Sequence, residues 1–319
     1  MSTHRNIKQP TPENLTMAAK SLQSGDLVSF PTETVYGLGA DATDDTAVAK
    51  IFEAKGRPSF NPLIVHVPDM ARAKDFVIFN DLAQKLAATF WPGPLTLVLP
   101  RQENCPISRL ASAGLNTLAV RVPANPLAHD LLVKAAVPVA APSANPSGQI
   151  SPTQAIHVAS GLGEKVDIIL DGGACAIGVE STVVSVSDEG VTQLRPGGIT
   201  REQLEHALGM PVKIAAAGST ITSPGMLRSH YAPSCPVRLN ATDKKDNEAF
   251  IGFGPNFEGI ETLNLSPSAN LTEATANLFA VFHKLDGTGF KSIAVAPIPM
   301  TGLGVAINDR LHRAAAPKE

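Results

Sequence analysis

The sequence predicts an α/β protein in which a twisted mixed sheet with flanking helices is followed by a smaller α/β unit. Three observations predict it. Up to about residue 212, short apolar runs of strand character outnumber helical stretches, and their spacing is too uneven for a regular βαβ repeat. From Val237 the pattern changes to alternating strand and helix. Between the two lies a stretch of small and proline-rich sequence, and a connection of about twenty residues without regular structure is commonly functional or disordered. The expected division is a catalytic unit at 1–212, a linker or lid at 213–236 and a C-terminal unit at 237–319.

The elements follow in order. Thr11 and Pro12 read as N-cap and first helical position, with Leu15, Ala18, Ala19 and Leu22 on one face and Gly25 as the stop. Leu27–Phe30 is a short strand that runs into the segment PTETVYGLG (31–39). A second helix starts near Asp44 and Asp45, carries Ala47, Val48, Ile51 and Phe52 as its apolar stripe, and ends at Gly56. Strands follow at Leu63–Val67, Leu95–Leu99, Leu118–Val122, Val137–Ala140, Val166–Leu170 and Thr182–Val186. Helices intervene near 81–90, 126–135, 153–161 and 200–208. The last unit reads as strands near 249–253, 260–265 and 292–296, with helices at 272–285 and 303–314.

A hydrophobic fraction of 44% and a charged fraction of 17% fit a soluble globular protein. The net charge of −3 argues against a chain-wide electrostatic affinity for nucleic acid, while leaving room for a local cationic pocket. Cys105, Cys175 and Cys235 have no CxxC spacing, so neither a zinc ribbon nor a disulfide framework is supported. The opening residues Met1–Lys8 lack the apolar centre of a signal peptide, and no run of 18 apolar residues occurs. A cytoplasmic enzyme without a membrane partner is expected.

Chemistry-bearing residues gather at strand ends. Thr32 and Thr34 flank Glu33 just before Gly37 and Gly39, where hydroxyls bind carboxylate, amine or phosphate and glycines let backbone approach a ligand, or where a turn simply ends a strand. Lys55 and Arg57 stand one residue apart before Pro58, a pairing suited to phosphate oxygens and equally to solvated surface. His66 sits in an alternating strand as a site residue or a half-buried structural histidine. Arg121 lies inside the apolar run Leu118–Val122, where a guanidinium needs a partner: a carboxylate ligand, or a buried acid such as Glu33. Ala141–Asn145 and Gly178–Thr182 place hydroxyls and an amide at strand boundaries, and Arg195 precedes a glycine turn. No Walker A, dinucleotide fingerprint, HExxH or GxSxG sequence is present.

Together these segments resemble the YrdC-like family of L-threonylcarbamoyladenylate synthases, in the longer form that carries a second, Rossmann-like domain. The resemblance runs through PTETVYGLG (31–39), KGRP (55–58), NPLIVHV (61–67), FWPGPLTLVL (90–99), LAVRVP (118–123), APSANPSG (141–148), ESTVV (180–184), RPGGIT (195–200), SPGMLRSHYAP (223–233) and AINDRLHRAA (306–315). It implies a YrdC-like sheet around a concave, positively charged cavity. It also implies a nucleotidyltransferase that makes threonylcarbamoyl-AMP and pyrophosphate from L-threonine, bicarbonate or CO2, and ATP.

By that resemblance Thr34, His66, Arg121 and Ser181, with the backbone of Ala141, hold threonine. Arg57, Asn61, Thr117, Ser143, Ser151 and Arg195 hold ATP, and Tyr231 closes over it. Lys55, Arg57 and Arg195 stabilise the charge that develops at phosphorus, together with Mg2+ brought by ATP rather than by a dedicated protein metal site. The product passes to a tRNA threonylcarbamoyltransferase complex, with a weak contact to tRNA or RNA. Two alternatives stand beside this: a double-stranded-RNA-binding module using the same cavity, and the carbamoyl-phosphate chemistry of hydrogenase-maturation relatives.

Overall fold

The structure, a computed structural model, describes residues 5–216, 230–257 and 259–317. Its first unit runs β1 (Ile7–Lys8), α1 (Pro12–Gln23), β2 (Val28–Phe30), β3 (Gly37–Asp41), α2 (Asp45–Lys55), β4 (Ile64–His66), α3 (Met70–Lys74), α4 (Asp81–Phe90), β5 (Leu95–Pro100) and β6 (Thr117–Arg121). It continues through α5 (Pro126–Ala135), β7 (Val139–Ala140), α6 (Ala155–Leu162), β8 (Ile168–Leu170), β9 (Thr182–Ser187), β10 (Gly190–Arg195), α7 (Arg201–Leu208) and β11 (Lys213–Ile214). These strands form one mixed sheet in the order β1-β8-β2-β3-β7-β4-β6-β5-β9-β10-β11.

The capping residues do what the sequence implies. Thr11 accepts from Asn14 N with Pro12 beside it, and Asp44 accepts from Thr46 N and Ala47 N, while Gly56 closes α2 in the left-handed region at φ 59°. Four short elements of this unit escaped the sequence reading: β1, β3, α3 and β11. Gly37–Asp41, taken as a glycine turn, is a strand that pairs with β2 and β7. A Cβ on Gly39 would lie 2.8 Å from both Phe30 and Val139, so this glycine serves strand packing rather than ligand approach. Lys213–Ile214, at the start of the stretch read as linker, pairs parallel with β10.

Alternation across the central strands creates the site. Leu63, Val65 and Val67, Leu97 and Leu99, Val120 and Val122, and Val184 and Val186 all enter the main core. Their neighbours point to the opposite face, where Ile64, Val98, Ala119 and Val183 form a small apolar floor. On that same face His66 is in register with Arg121, and Arg195 is in register with Val183.

The second unit comprises β12 (Val237–Arg238), β13 (Glu248–Gly252), β14 (Leu263–Asn264), α8 (Leu271–Leu285), β15 (Ser292–Val295) and α9 (Gly304–Ala315). Its sheet, ordered β12-β15-β13-β14, is parallel throughout. The core of this unit extends into the first: Val35, Ile150 and Val179 cluster with Phe279, Phe282 and Tyr231. At Gly178 the approach is so close that a Cβ would lie 2.5 Å from the carbonyl oxygen of Ala276 on α8. The connecting residues SPGMLRS (223–229), Arg228 included, lie outside the described residues. From His230 onward the chain returns as a strap, with Ala232 N donating to Gly148 O at 2.9 Å.

Candidate active site

A cavity of about 50 Å3 lies against the polar face of the central strands. Its wall includes Thr32, Thr34 and Gly37 before and in β3, Arg57 after α2, and Ile64 and His66 on β4. Arg121 on β6, the Ala141–Ser143 turn, Glu180, Ser181 and Arg195 continue it, and His230 and Tyr231 of the strap close it.

Arg121 is buried, and the reason is on the page: Nη2 donates to Glu33 Oε1 at 2.6 Å, Nη1 to Thr34 Oγ1 at 3.0 Å and Nε to Gly93 O at 3.2 Å. Glu33, partly buried, is thus the acid partner that the sequence reading left open. A guanidinium has five N–H donors, so two remain for a ligand. Beside it, His66 is 3% exposed rather than half-buried, and its Nδ1 has no hydrogen-bond partner among the described residues. Burial, and then the Arg121 charge, push its pKa from 6.5 down to about 3, so the ring is neutral.

Arg195 reaches back across β9. Its Nη2 donates to Ser181 O at 2.9 Å and Ser181 Oγ at 3.0 Å, and Ser181 Oγ pairs with Thr96 Oγ1 at 2.8 Å. Arg57 donates through Nη2 to Pro62 O at 2.9 Å and through Nε to Asn61 O at 3.3 Å. Burial first, with the Arg195 charge also opposing, lowers its pKa to about 10, which leaves it a cation at neutral pH. Tyr231 adopts φ 66° and packs against His230, Phe279 and the guanidinium of Arg310, whose carbon lies 5.2 Å from the ring centre.

Comparison with known proteins settles the family. The Sua5/YciO/YrdC profile, described as telomere recombination, matches residues 20–197. The chain belongs to this family. A second profile, the C-terminal domain of threonylcarbamoyl-AMP synthase, matches residues 199–316. A threonylcarbamoyl-AMP synthase of Pyrococcus abyssi is 40% identical, the match covering 97% of this chain and 96% of that one. One from Bacillus subtilis is also 40% identical over 94% of this chain and 92% of its own. The crystal structure of P. abyssi Sua5 complexed with L-threonine superposes with a TM-score of 0.88 at 37% identity, covering 97% of this chain and 96% of that one.

In this Sua5-type chain the fold brings Thr34, Arg57, His66, Arg121, Ala141, Ser143, Ser181, Arg195 and Tyr231 to one cavity. It does not bring Lys55, Asn61, Thr117 or Ser151 to the wall. The Lys55 ammonium, expected among the catalytic cations, is spent on backbone, donating to Ser143 O at 2.6 Å and to Asn145 O. Burial and the nearby Arg57 charge hold its pKa well below the ordinary lysine value. Asn61 is buried, its backbone oxygen accepting from Arg57, with neither side-chain amide atom partnered among the described residues. Thr117 stands on the same face as Arg121 but four residues away, roughly 13 Å along the strand. Ser151 donates to Glu180 Oε1 at 2.5 Å.

The sequence reading gave no role to Glu180 or to Arg310, which donates to it through Nε at 2.7 Å. A signal existed for Arg310. It shares the i, i+3, i+4, i+7 stripe of Ile307, Leu311 and Ala314, so a charge was destined for the buried face of α9.

Proposed function

We propose that this chain is a threonylcarbamoyl-AMP synthase, joining L-threonine, CO2 or bicarbonate, and ATP to give threonylcarbamoyl-AMP and pyrophosphate. The observation that carries the reading is the convergence of three buried guanidiniums, Arg57, Arg121 and Arg195, on one cavity lined by hydroxyls. Burying cations is costly without anionic company. Arg57 meets only backbone carbonyls among the described residues, so a polyphosphate suits it. The near-full-length likeness to proteins named threonylcarbamoyl-AMP synthase, and to a Sua5 crystallised with L-threonine, supports the same reading.

Threonine lies between β4 and β6. Its carboxylate takes the two remaining N–H groups of Arg121, and Thr34, Ser181 and the backbone of Ala141 hold the rest of it. His66, kept neutral, offers a polar contact without adding charge beside Arg121. ATP lies toward Arg57, Ser143 and Arg195, with Asn61, Thr117 and Ser151 engaged as the nucleotide enters. Lys55 acts at one remove, pinning the turn that presents Ser143.

In the reaction the neutral amine adds to CO2, forming the C–N bond and releasing a proton to water. An oxygen of the resulting N-carboxylate then attacks the α-phosphorus, and the bond to the β-phosphate oxygen breaks with pyrophosphate taking the electron pair. Arg57 and Arg195 stabilise the charge moving onto that leaving group, and holding the reactants in line supplies much of the remaining acceleration. The nearby acids Glu33 and Glu180 are engaged by Arg121 and Arg310, and no group of three His, Cys, Asp or Glu converges among the described residues. Mg2+ would come with ATP, held through phosphate oxygens and water, and no step above depends on a protein ligand to it.

The cavity, at about 50 Å3, is far below the roughly 300 Å3 of a usual small-molecule site, and His230 and Tyr231 form part of its wall. ATP entry requires the strap to lift, after which Tyr231 closes over the nucleotide. The product, a reactive mixed anhydride, goes on to a tRNA threonylcarbamoyltransferase. The test is pyrophosphate release with each substrate omitted in turn, and with serine or carbamoyl phosphate replacing threonine or bicarbonate. Release that requires threonine and bicarbonate supports the reading; release driven by carbamoyl phosphate alone overturns it.

A further inference from the structure

Arg310 has no exposed surface, yet it belongs to the C-terminal unit and meets Glu180, a residue of the cavity wall in the first. Its Nε donates to Glu180 Oε2 at 2.7 Å and its Nη1 to Asp309 Oδ2 at 2.6 Å, while Nη2 has no partner among the described residues. Stability alone does not call for this arrangement, because a buried ion pair is often no better than apolar side chains of the same size. What the pair touches is the cavity. Glu180 is the one acid in its wall among the described residues, and that wall also carries Arg57 and Arg195. Burial opposes the charge on Glu180, but Arg310 and then Arg195 outweigh it and hold the carboxyl ionised. Arg195 donates to the carbonyl oxygen of Ser181, the residue after Glu180, at 2.9 Å, so the two opposite charges stand close in one wall.

We infer that Arg310 is a positioning residue for ATP, acting through Glu180: it holds that carboxylate so that Glu180 does not turn onto Arg57 and Arg195 and compete with the polyphosphate. The inference rests on reading the cavity as the ATP site. The same guanidinium lies over the ring of Tyr231, so seating α9 against the first unit both neutralises Glu180 and completes the cavity wall. Threonine, held at the other end by Arg121, is outside its influence.

The test uses five full-length chains: wild type, Arg310→Met, Arg310→Lys, Glu180→Gln and the double variant Arg310→Met/Glu180→Gln. ATP affinity is measured by titration calorimetry, and KM for ATP and for threonine by pyrophosphate release. Arg310→Met should weaken ATP by at least about tenfold, the worth of one charge-assisted contact, with threonine KM unchanged. Glu180→Gln in the same chain removes the competing carboxylate and should restore ATP affinity to near wild type. An unchanged ATP affinity in Arg310→Met overturns the inference, and so does a double variant as impaired as the single, which would leave Arg310 a purely structural group. Should Arg310→Met lose cooperative unfolding, the double variant and Arg310→Lys decide: both should bind ATP nearly as wild type does, and weak binding by a folded double variant is the contrary result. Wild-type chain that binds ATP but releases no threonine-dependent pyrophosphate would refute the proposed reaction while leaving the calorimetric comparison decisive for Arg310.

Discussion

Replacing Arg121 by methionine separates two duties of one side chain. The guanidinium neutralises Glu33 at 2.6 Å, and both side chains are nearly sealed from solvent, at 4% and 11% exposure. Removing the cation leaves a largely buried carboxylate with, among the described residues, the Ala124 N–H at 3.1 Å to satisfy it. Breaking a buried pair from one side costs about 3–5 kcal/mol, a large share of the stability of an ordinary domain. The second duty, under the proposed function, is to hold the threonine carboxylate. Two charge-assisted hydrogen bonds at about 1.5 kcal/mol or more each amount to a loss on the order of 100-fold in threonine affinity. Urea denaturation reads the first effect and titration calorimetry the second. The double variant Arg121→Met/Glu33→Gln should regain most of the stability, since no unpaired charge remains, but none of the threonine affinity. Threonine binding restored to wild type in the double variant would show that Arg121 serves only Glu33, and the carboxylate assignment would fail.

Other outcomes follow from the same geometry. Gly178→Ala places a Cβ 2.5 Å from the Ala276 carbonyl at φ 78°, so it should cost roughly 2–4 kcal/mol by overpacking and backbone strain; thermal unfolding within experimental error of wild type would contradict this. Burial, the leading cause in each case, lowers the pKa of His66 and His230 to about 3 and of His157 to about 4. The unfolded chain binds those protons below about pH 6.5 while the folded chain does not, so stability should fall as pH drops from 6.5 toward 4, by up to about 1.4 kcal/mol per pH unit for each group. Urea midpoints that stay flat across that window would argue against buried neutral histidines. A chain truncated after residue 216 would expose Val35, Ile150 and Val179 and leave Glu180 without Arg310, so it should lose synthesis and tend to aggregate; full activity would show the second unit to be dispensable.

Much of the site was legible because it is built on alternation. In Leu63–Val67 and Leu118–Val122 the apolar residues at every second position mark the core face, which leaves His66 and Arg121 side by side on the other. The strand at Gly37–Asp41 was not legible. It lacks the β-branched residues that signal a strand, and only its fit between β2 and β7 makes it one. β1 and β11 contribute two paired residues each, too few for any periodicity. Lys55 looked like a phosphate ligand because charge and proximity to Arg57 are visible in sequence, whereas the Ser143 and Asn145 carbonyls that claim it are brought there by folding alone. Arg310 announced its burial through helical spacing, but its partner Glu180 stands 130 residues away, beyond any local pattern.

The most direct measurement is mass spectrometry of the product formed by the full-length chain from L-threonine, ATP and isotopically labelled bicarbonate. The account predicts a threonylcarbamoyl-AMP mass carrying the label, formed only when all three are present, together with pyrophosphate. Folded chain that yields AMP or ADP without a labelled threonine adduct would contradict it.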